Sequence, residues 1–213
     1  MHVVVTGSNR GIGLELCRQS KENGWSVTAL CRHSSPELDA LQVDVVSGVD
    51  VAHPGTLPEM APIDWLILNA GIWRTENLDS LNFATIIEQF EVNALGPLRI
   101  FDALSQRLHS GSKIGLMTSQ MGSIADNTSG GRYGYRMSKA ALNAAGVSLA
   151  RDLRSRGIAV ALLHPGYVAT DMTDHQGPTS PEESVRGLIG VMHNLNLENS
   201  GGFWNFRGQT LPW

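Results

Sequence analysis

The sequence predicts an α/β fold, a single doubly wound parallel sheet with helices on both faces. Three observations lead there. Short runs of consecutive Val, Ile and Leu recur along the chain, as in strands covered on both sides. Longer stretches with apolar residues at three- and four-residue spacing stand between them, the alternation that builds parallel sheets. A glycine-rich turn follows the first apolar run directly.

Taken in order, "HVVVT" (residues 2–6) is the first strand, because consecutive valines are stiff at χ1 and favour extended backbone. "TGSNRGIG" then turns the chain into a helical stretch over 12–23. "WSVTALC" (25–31) is the second strand and the weaker "LQVDV" (41–45) the third. "VSGVDVAHPGTLPEMAP" (46–62) is rich in Gly and Pro. It reads as a long connection whose expected helix is short or missing. "DWLILN" (64–69) is the fourth strand, and a helix over 81–109 follows, interrupted around "NALGP". "KIGLMTS" (113–119), "IAVALLH" (158–164) and "GGFWNF" (201–206) complete the strands. Helices are expected over 135–156 and, more faintly, over 181–195.

The 213 residues, 42% hydrophobic and 17% charged, suit one folded domain over 1–213. A net charge of -4 and the lack of basic runs give no electrostatic case for nucleic acid or anionic membranes. The N-terminus reads as neither a signal nor a transit peptide, and no apolar run is long enough to span a bilayer, so a cytoplasmic location is expected. Cys17 and Cys31 are expected to be buried, reduced thiols. The seven histidines show no zinc-like spacing, and no metal site is expected.

In "TGSNRGIG", Gly7, Gly11 and Gly13 form a GxxxGxG turn between a strand and a helix. Glycines let the backbone turn tightly and let a pyrophosphate approach it. The helix start supplies free N–H groups and the positive end of its dipole. That is the pattern of a Rossmann-type nucleotide-binding unit. A second stretch, "RYGYRMSKAALN", holds Tyr133 and Tyr135 ahead of Lys139. On a helix only Tyr135 has the lysine at i+4, on its own face; Tyr133 has Met137 there. A neighbouring ammonium favours phenolate, so Lys139 is expected to lower the Tyr135 pKa.

These motifs resemble those of the short-chain dehydrogenase/reductase family over nearly the whole chain. "TGSNRGIG" is similar to the family's cofactor turn, and "LNAG" to its NNAG motif with leucine in the first place. "EVNALGP" carries the helix asparagine, Asn93, and "MTSQMGS" the strand-end serine, Ser119. "YRMSK" matches YxxxK, and "HPGYVATDM" the PG motif with Thr170. "GSIADNTSGGRYGYRMSKAALN" and the ending "GGFWNFRGQTLPW" are similar to the small C-factor-like and sniffer-like carbonyl reductases.

The resemblance implies NADP(H)-dependent reduction of a carbonyl, or the reverse oxidation of an alcohol, on a small molecule. Tyr135 would be the acid/base, Lys139 would bind the nicotinamide ribose, and Ser119 would hold the carbonyl oxygen. Asn93 would hold a water linking Lys139 to solvent. The dinucleotide would lie along Gly7, Ser8, Asn9, Arg10, Gly11, Ile12 and Gly13, then Asn69, Ala70 and Gly71, and the Tyr135–Lys139 pair. Pro165, Gly166, Val168 and Thr170 would hold the nicotinamide end, and Asp44 and Val45 the adenine. A cofactor half over about 1–112 and a catalytic half over about 113–213 follow from this. Arg10 and Arg32, with no carboxylate near the end of the second strand, imply a preference for NADPH, leaving NAD open. The segment after the PG motif, 173–184, is short and implies an open pocket.

Some positions stay ambiguous from sequence. Trp73 lines the pocket or merely packs. His164 is expected to be a satisfied strand-end histidine rather than a catalyst, and "LPW" a clamp on the domain or a subunit contact. A homodimer or tetramer is left open. The alternative to an enzyme is a nucleotide-binding regulatory or C-factor-like signalling protein with incidental turnover.

Overall fold

The structure is a computed structural model that describes all residues, 1–213. Its strands are β1 (His2–Thr6), β2 (Ser26–Leu30), β3 (Asp44–Val46), β4 (Ile63–Leu68), β5 (Leu108–Met117), β6 (Ala159–His164) and β7 (Phe203–Asn205). They form one sheet in the order β3-β2-β1-β4-β5-β6-β7, parallel throughout. The order reverses direction at β1/β4. In open parallel sheets that switch point leaves a crevice at the strands' C-terminal ends.

The pleat sorts the apolar runs onto two cores. Val3, Val5, Trp65, Ile67, Ala161 and Leu163 pack against α1 (Gly11–Glu22) and α6 (Pro181–Asn194). Val4, Leu66, Leu68, Leu116, Val160 and Leu162 face α4 (Gly96–Leu104) and α5 (Tyr133–Asp152). Continuous apolar strands are therefore required, since consecutive residues serve opposite cores. Each fully buried Leu or Val contributes roughly 1.5–3 kcal/mol. Helix α5 lies close on the sheet because Gly146 has no side chain. A Cβ there would stand 2.6 Å from Leu116 Cδ1 and 2.9 Å from Leu162 Cδ2.

Differences from the expected elements have local causes. The third strand starts at Asp44 and runs to Val46, because Gln42 turns the chain in the left-handed region (φ 52°). Before it stands an unanticipated short helix, α2 (Pro36–Asp39), capped by the Ser35 hydroxyl. The helix expected over 81–109 is divided into α3 (Phe83–Phe90), a π-helical turn (Glu91–Leu95) and α4. Pro97 has no N–H to give the carbonyl of Asn93 four residues earlier, so the α-helical ladder cannot run through. Strand β5 begins at Leu108 rather than 113. Its first part is irregular, the register shifting between Ile63 and Trp65 of β4, which hid it in the sequence.

The 46–62 connection holds no helix, only a bridge between Asp50 and His53. Cys17 and Cys31 are both buried and free. The terminal "LPW" folds back as a clamp: Trp213 stacks on Phe203 at 5.4 Å, and its carbonyl accepts from the Ala125 N–H at 2.9 Å.

Candidate active site

At the switch point, β1 runs into the glycine turn and β4 into "NAGI". The two are tied together by Thr6, whose hydroxyl accepts from the N–H groups of Asn69 (2.9 Å) and Ala70 (3.0 Å). The Asn69 amide donates back to the carbonyls of Thr6 (3.0 Å) and Gly7 (3.2 Å). Asn69 thus braces the turn. Gly7 and Gly11 sit at positive φ, 66° and 54°. A Cβ on Gly13 would lie 2.1 Å from the Gly7 carbonyl oxygen, and one on Gly7 would lie 2.8 Å from Ala70 Cα. Larger residues do not fit either place.

Arg10 occupies the N-cap of α1 in extended backbone and gives it no side-chain hydrogen bond, so the first-turn N–H groups face outward. That donor set fits a pyrophosphate. Ser8 is buried and donates to Leu30 O (3.1 Å), while Asn9 O accepts from Ser35 Oγ (2.8 Å), tying the turn to the loop after β2. Ile12 follows Gly11 in the first turn of α1 and packs against the core.

The catalytic candidates converge at the ends of β5 and α5. Asn93, Lys139, Ser119 and Tyr135 are 0%, 4%, 8% and 8% exposed, so all are withdrawn from bulk water. Asn93 sits in the π turn. Its Oδ1 accepts from Ile72 N–H (2.8 Å), and its Nδ2 donates to Ile72 O (2.9 Å) and Ser138 Oγ (3.1 Å). Ser138 in turn donates to the Tyr135 carbonyl (2.8 Å). The Asn93 side chain therefore fastens the 69–73 loop to α5. Both N–H bonds of its amide are engaged, so a held water would have to use the main chain.

Ser119 Oγ accepts from Met121 N–H (3.1 Å) and keeps its own proton to donate. Thr118 Oγ1 donates to Asn143 Oδ1 (2.7 Å), joining the end of β5 to α5.

One expectation is corrected. Burial pushes the Tyr135 phenol up to about 12, with the Ser119 hydroxyl drawing it partly back. Burial also lowers Lys139 to about 7. The lysine donates to Met117 O at 2.7 Å, and its Nζ stands 5.7 Å from the Tyr135 ring centroid. Desolvation sets the direction of both shifts, so Tyr135 keeps its proton at neutral pH. Tyr133, by contrast, opens α5 one residue before the buried Gly134.

Three neighbours escaped the sequence reading or were left undecided by it. Trp73 packs on Tyr135, ring centroids 4.6 Å apart. Arg132 lies over the same indole, its guanidinium carbon 5.3 Å from the ring centre. Glu76 is 1% exposed, and its carboxylate accepts from Gln89 Nε2 (2.7 Å), Thr85 Oγ1 (2.8 Å) and Gly134 N–H (3.2 Å). It caps α5 from outside the helix, because the N-cap residue Arg132 supplies no side-chain bond. A lone acidic residue in a loop gave no signal of this in the sequence.

The remaining candidates lie around the rim. Pro165 O accepts from Ser184 Oγ (2.7 Å), and Gly166 takes φ 92° under Phe206. Val168 is buried and bridges to Thr179. Thr170 approaches the glycine turn, its Cγ2 3.3 Å from where a Gly11 Cβ would stand. Gly71 adjoins Asn93 and Lys139. Asp44 opens β3 opposite Thr28 and is exposed, with Val45 beside it; it does not close the strand as expected. Arg32 is exposed and has no ion-pair partner, whereas Arg10 pairs with Asp171 at 3.1 Å. His164 differs from expectation too: its Nδ1 is buried without a partner, and burial holds it down at about 4, neutral.

A glycine turn at a sheet switch point, facing a buried Ser–Tyr–Lys cluster, defines a dinucleotide-dependent oxidoreductase of the doubly wound class. The chain belongs to the short-chain dehydrogenase family, whose pattern matches residues 1–181. It is 40% identical to 1-hydroxy-2-glutathionyl-2-methyl-3-butene dehydrogenase of Rhodococcus sp. (strain AD45), over 99% of each chain. It is 45% identical to C-signal of Myxococcus xanthus, over 71% of this chain and 93% of that one. Among solved structures, a carbonyl reductase from Pseudomonas aeruginosa PAO1 in complex with NADP superposes with a TM-score of 0.82. That pair is 34% identical over 100% of this chain and 99% of the other.

Proposed function

We propose that the protein reduces an aldehyde or ketone to an alcohol with NADPH, and that Tyr135 is the proton donor. The observation that carries this is the buried Tyr135 phenol beside the Ser119 hydroxyl, two O–H donors facing the glycine turn's crevice. When bound, the nicotinamide supplies the hydride that the carbonyl carbon receives. The chain's own residues do the rest. Ser119 donates to the carbonyl oxygen and holds it next to Tyr135. As negative charge grows on that oxygen, the Tyr135 proton moves to it, and the C–O group leaves as an alcohol. A phenol near 12 is in the acid form that the reductive direction needs. Lys139, near 7, can take a charge close to neutral pH and return a proton to Tyr135. Gly7 to Gly13 and the first turn of α1 would hold the pyrophosphate, and Arg32 the adenosine 2′-phosphate.

The NADP complex of the Pseudomonas relative supports the choice of cofactor. The Rhodococcus relative, named a dehydrogenase of a hydroxylated compound, supports alcohol and carbonyl chemistry. The test is NADPH consumption against a panel of aldehydes, ketones, diketones and quinones, with NADH in parallel. We expect turnover of small activated carbonyls and at least about tenfold preference for NADPH, from guanidinium–phosphate contacts of roughly 1–3 kcal/mol. No turnover of any member of the panel would remove the reading.

A second reading, a nucleotide-binding signalling protein, is favoured by the likeness to C-signal. The two part at Tyr135: a Tyr135→Phe chain that retained its biological effect would favour signalling over catalysis.

A further inference from the structure

Three arginines, Arg74, Arg132 and Arg136, stand on the segments that flank Trp73 and open α5, and they are not equivalent. Arg74 holds Glu88 through two hydrogen bonds, 3.1 and 2.9 Å, and donates to Trp73 O (3.0 Å). Arg136 donates to Met121 O (3.4 Å) and Ser129 Oγ (2.9 Å), fixing the loop before α5. Arg132 is exposed, and its guanidinium has neither a hydrogen-bond acceptor nor an ion-pair partner. It is nevertheless placed. Its backbone takes the left-handed region (φ 51°, ψ 48°) after Gly130 and Gly131, which are also at positive φ. For a residue with a Cβ this conformation is strained. The Arg132 N–H donates to Glu76 O (2.8 Å) and holds it there. The result is a row of groups, Tyr135 ring to Trp73 ring at 4.6 Å and Trp73 ring to Arg132 at 5.3 Å.

A guanidinium over an indole keeps its N–H donors at its edges, where they match the two oxygens of a carboxylate. Its charge is unmatched by any acid of the chain. Resting on the carbonyl-reducing activity proposed above, we infer that Trp73 and Arg132 select carbonyl substrates bearing a carboxylate. The flat or apolar part of the substrate would lie on Trp73, its carbonyl at Ser119 and Tyr135, and its carboxylate at Arg132. The reaction is unchanged: one hydride to carbon from NADPH, one proton to oxygen from Tyr135, and the carboxylate takes no part.

The test compares 4-formylbenzoate with its methyl ester, which presents a similar aldehyde without the charge. The wild-type chain should favour the acid in kcat/KM by about fivefold, an effect in KM that 0.5 M salt diminishes. Arg132→Asn, which accepts left-handed backbone, should bring the acid-to-ester ratio close to one, and Arg132→Lys should restore part of it. A wild-type ratio of one, or a ratio unmoved in Arg132→Asn, overturns the inference. If neither aldehyde is reduced, the proposed activity fails, and the inference is then judged by calorimetry with 4-methylbenzoate. Binding to the wild type that is lost in Arg132→Asn supports it; equal binding to both, or to neither, overturns it.

Discussion

At the catalytic end of the site, Asn93, Ser119, Tyr135 and Lys139 are buried, and Asn93 holds Ile72 and Ser138, Lys139 holds Met117 and Ser119 holds Met121 through bonds that need no ligand. At the end where the adenosine would lie, Arg10, Arg32 and Asp44 are exposed, and Arg10 holds a carboxylate of the 171–173 turn instead of a phosphate. Chemistry needs atoms fixed to a fraction of an ångström, which packing and satisfied hydrogen bonds supply in advance. Discrimination between two dinucleotides needs only charge in reach, which long exposed side chains supply once the phosphate arrives.

The largest effect should come from the fixed end. Tyr135→Phe removes one hydroxyl, and carbonyl reduction should fall by about 10²–10⁴ while the NADPH dissociation constant stays within about twofold. Tyr133→Phe should lower kcat/KM by less than about threefold. Steady-state rates and fluorescence titration measure both. A Tyr133 variant as damaged as the Tyr135 variant would mean that the buried phenol is not the acid.

Glu76 tests whether the fixed end is fixed by its supports. Glu76→Ala leaves Gln89 Nε2 and the Gly134 N–H without their acceptor, a loss of about 2–4 kcal/mol. For a chain of this length the midpoint of thermal unfolding should drop by about 5–15 °C. Because Gly134 adjoins Tyr135, kcat should fall further than KM changes. A variant with wild-type melting and kcat would separate the cap from the catalytic helix's position.

Much of this contrast was legible in the sequence, and unevenly so. The strands were readable because doubly covered strands must be apolar at consecutive positions. Tyr135 was separated from Tyr133 by the reach of a lysine at i+4. Yet the same pairing misjudged the phenol's acidity, since burial, a property of the whole fold, sets the direction of both shifts. The split of the 81–109 helix was half visible in Pro97. Glu76 and Arg132 were invisible: their meaning depends on Gly134 and Trp73, which the chain brings near only by folding. At the exposed end, residue types could be read but not what each side chain holds, as the Arg10–Asp171 pair illustrates.

Lys139 offers a smaller effect with a distinctive sign. Its pKa is about 7 in the folded chain against 10.5 when solvated. Between those values the unfolded chain holds a proton that the folded chain lacks, so the lysine's destabilising contribution is full below about pH 7 and fades as pH rises toward 10.5. Lys139→Met should therefore raise the melting temperature by a few degrees at pH 6 and by less at pH 9.5, while abolishing reduction. A gain that is the same at both pH values, measured by thermal unfolding, would mean that the ammonium is not desolvated as its burial indicates.

The smallest effect belongs to the exposed end. Arg10 and Asp171 lie 3.1 Å apart, but their side chains are 69% and 55% exposed, so the pair contributes at most about 1 kcal/mol. If Arg10 serves the 2′-phosphate, it must leave Asp171, whose carboxylate also repels the incoming dianion. Removing that charge assists on both counts. Asp171→Asn should tighten NADPH binding by about two- to fivefold, the equivalent of up to about 1 kcal/mol, with a smaller gain for NADH. Added salt should shrink the gain, since exposed charges are screened. The check is fluorescence titration with each dinucleotide at low and high ionic strength. An NADPH constant that does not move, alongside an Arg32→Asp variant that loses its preference, would place the discrimination on Arg32 alone and leave Arg10 as a partner of the 171–173 turn.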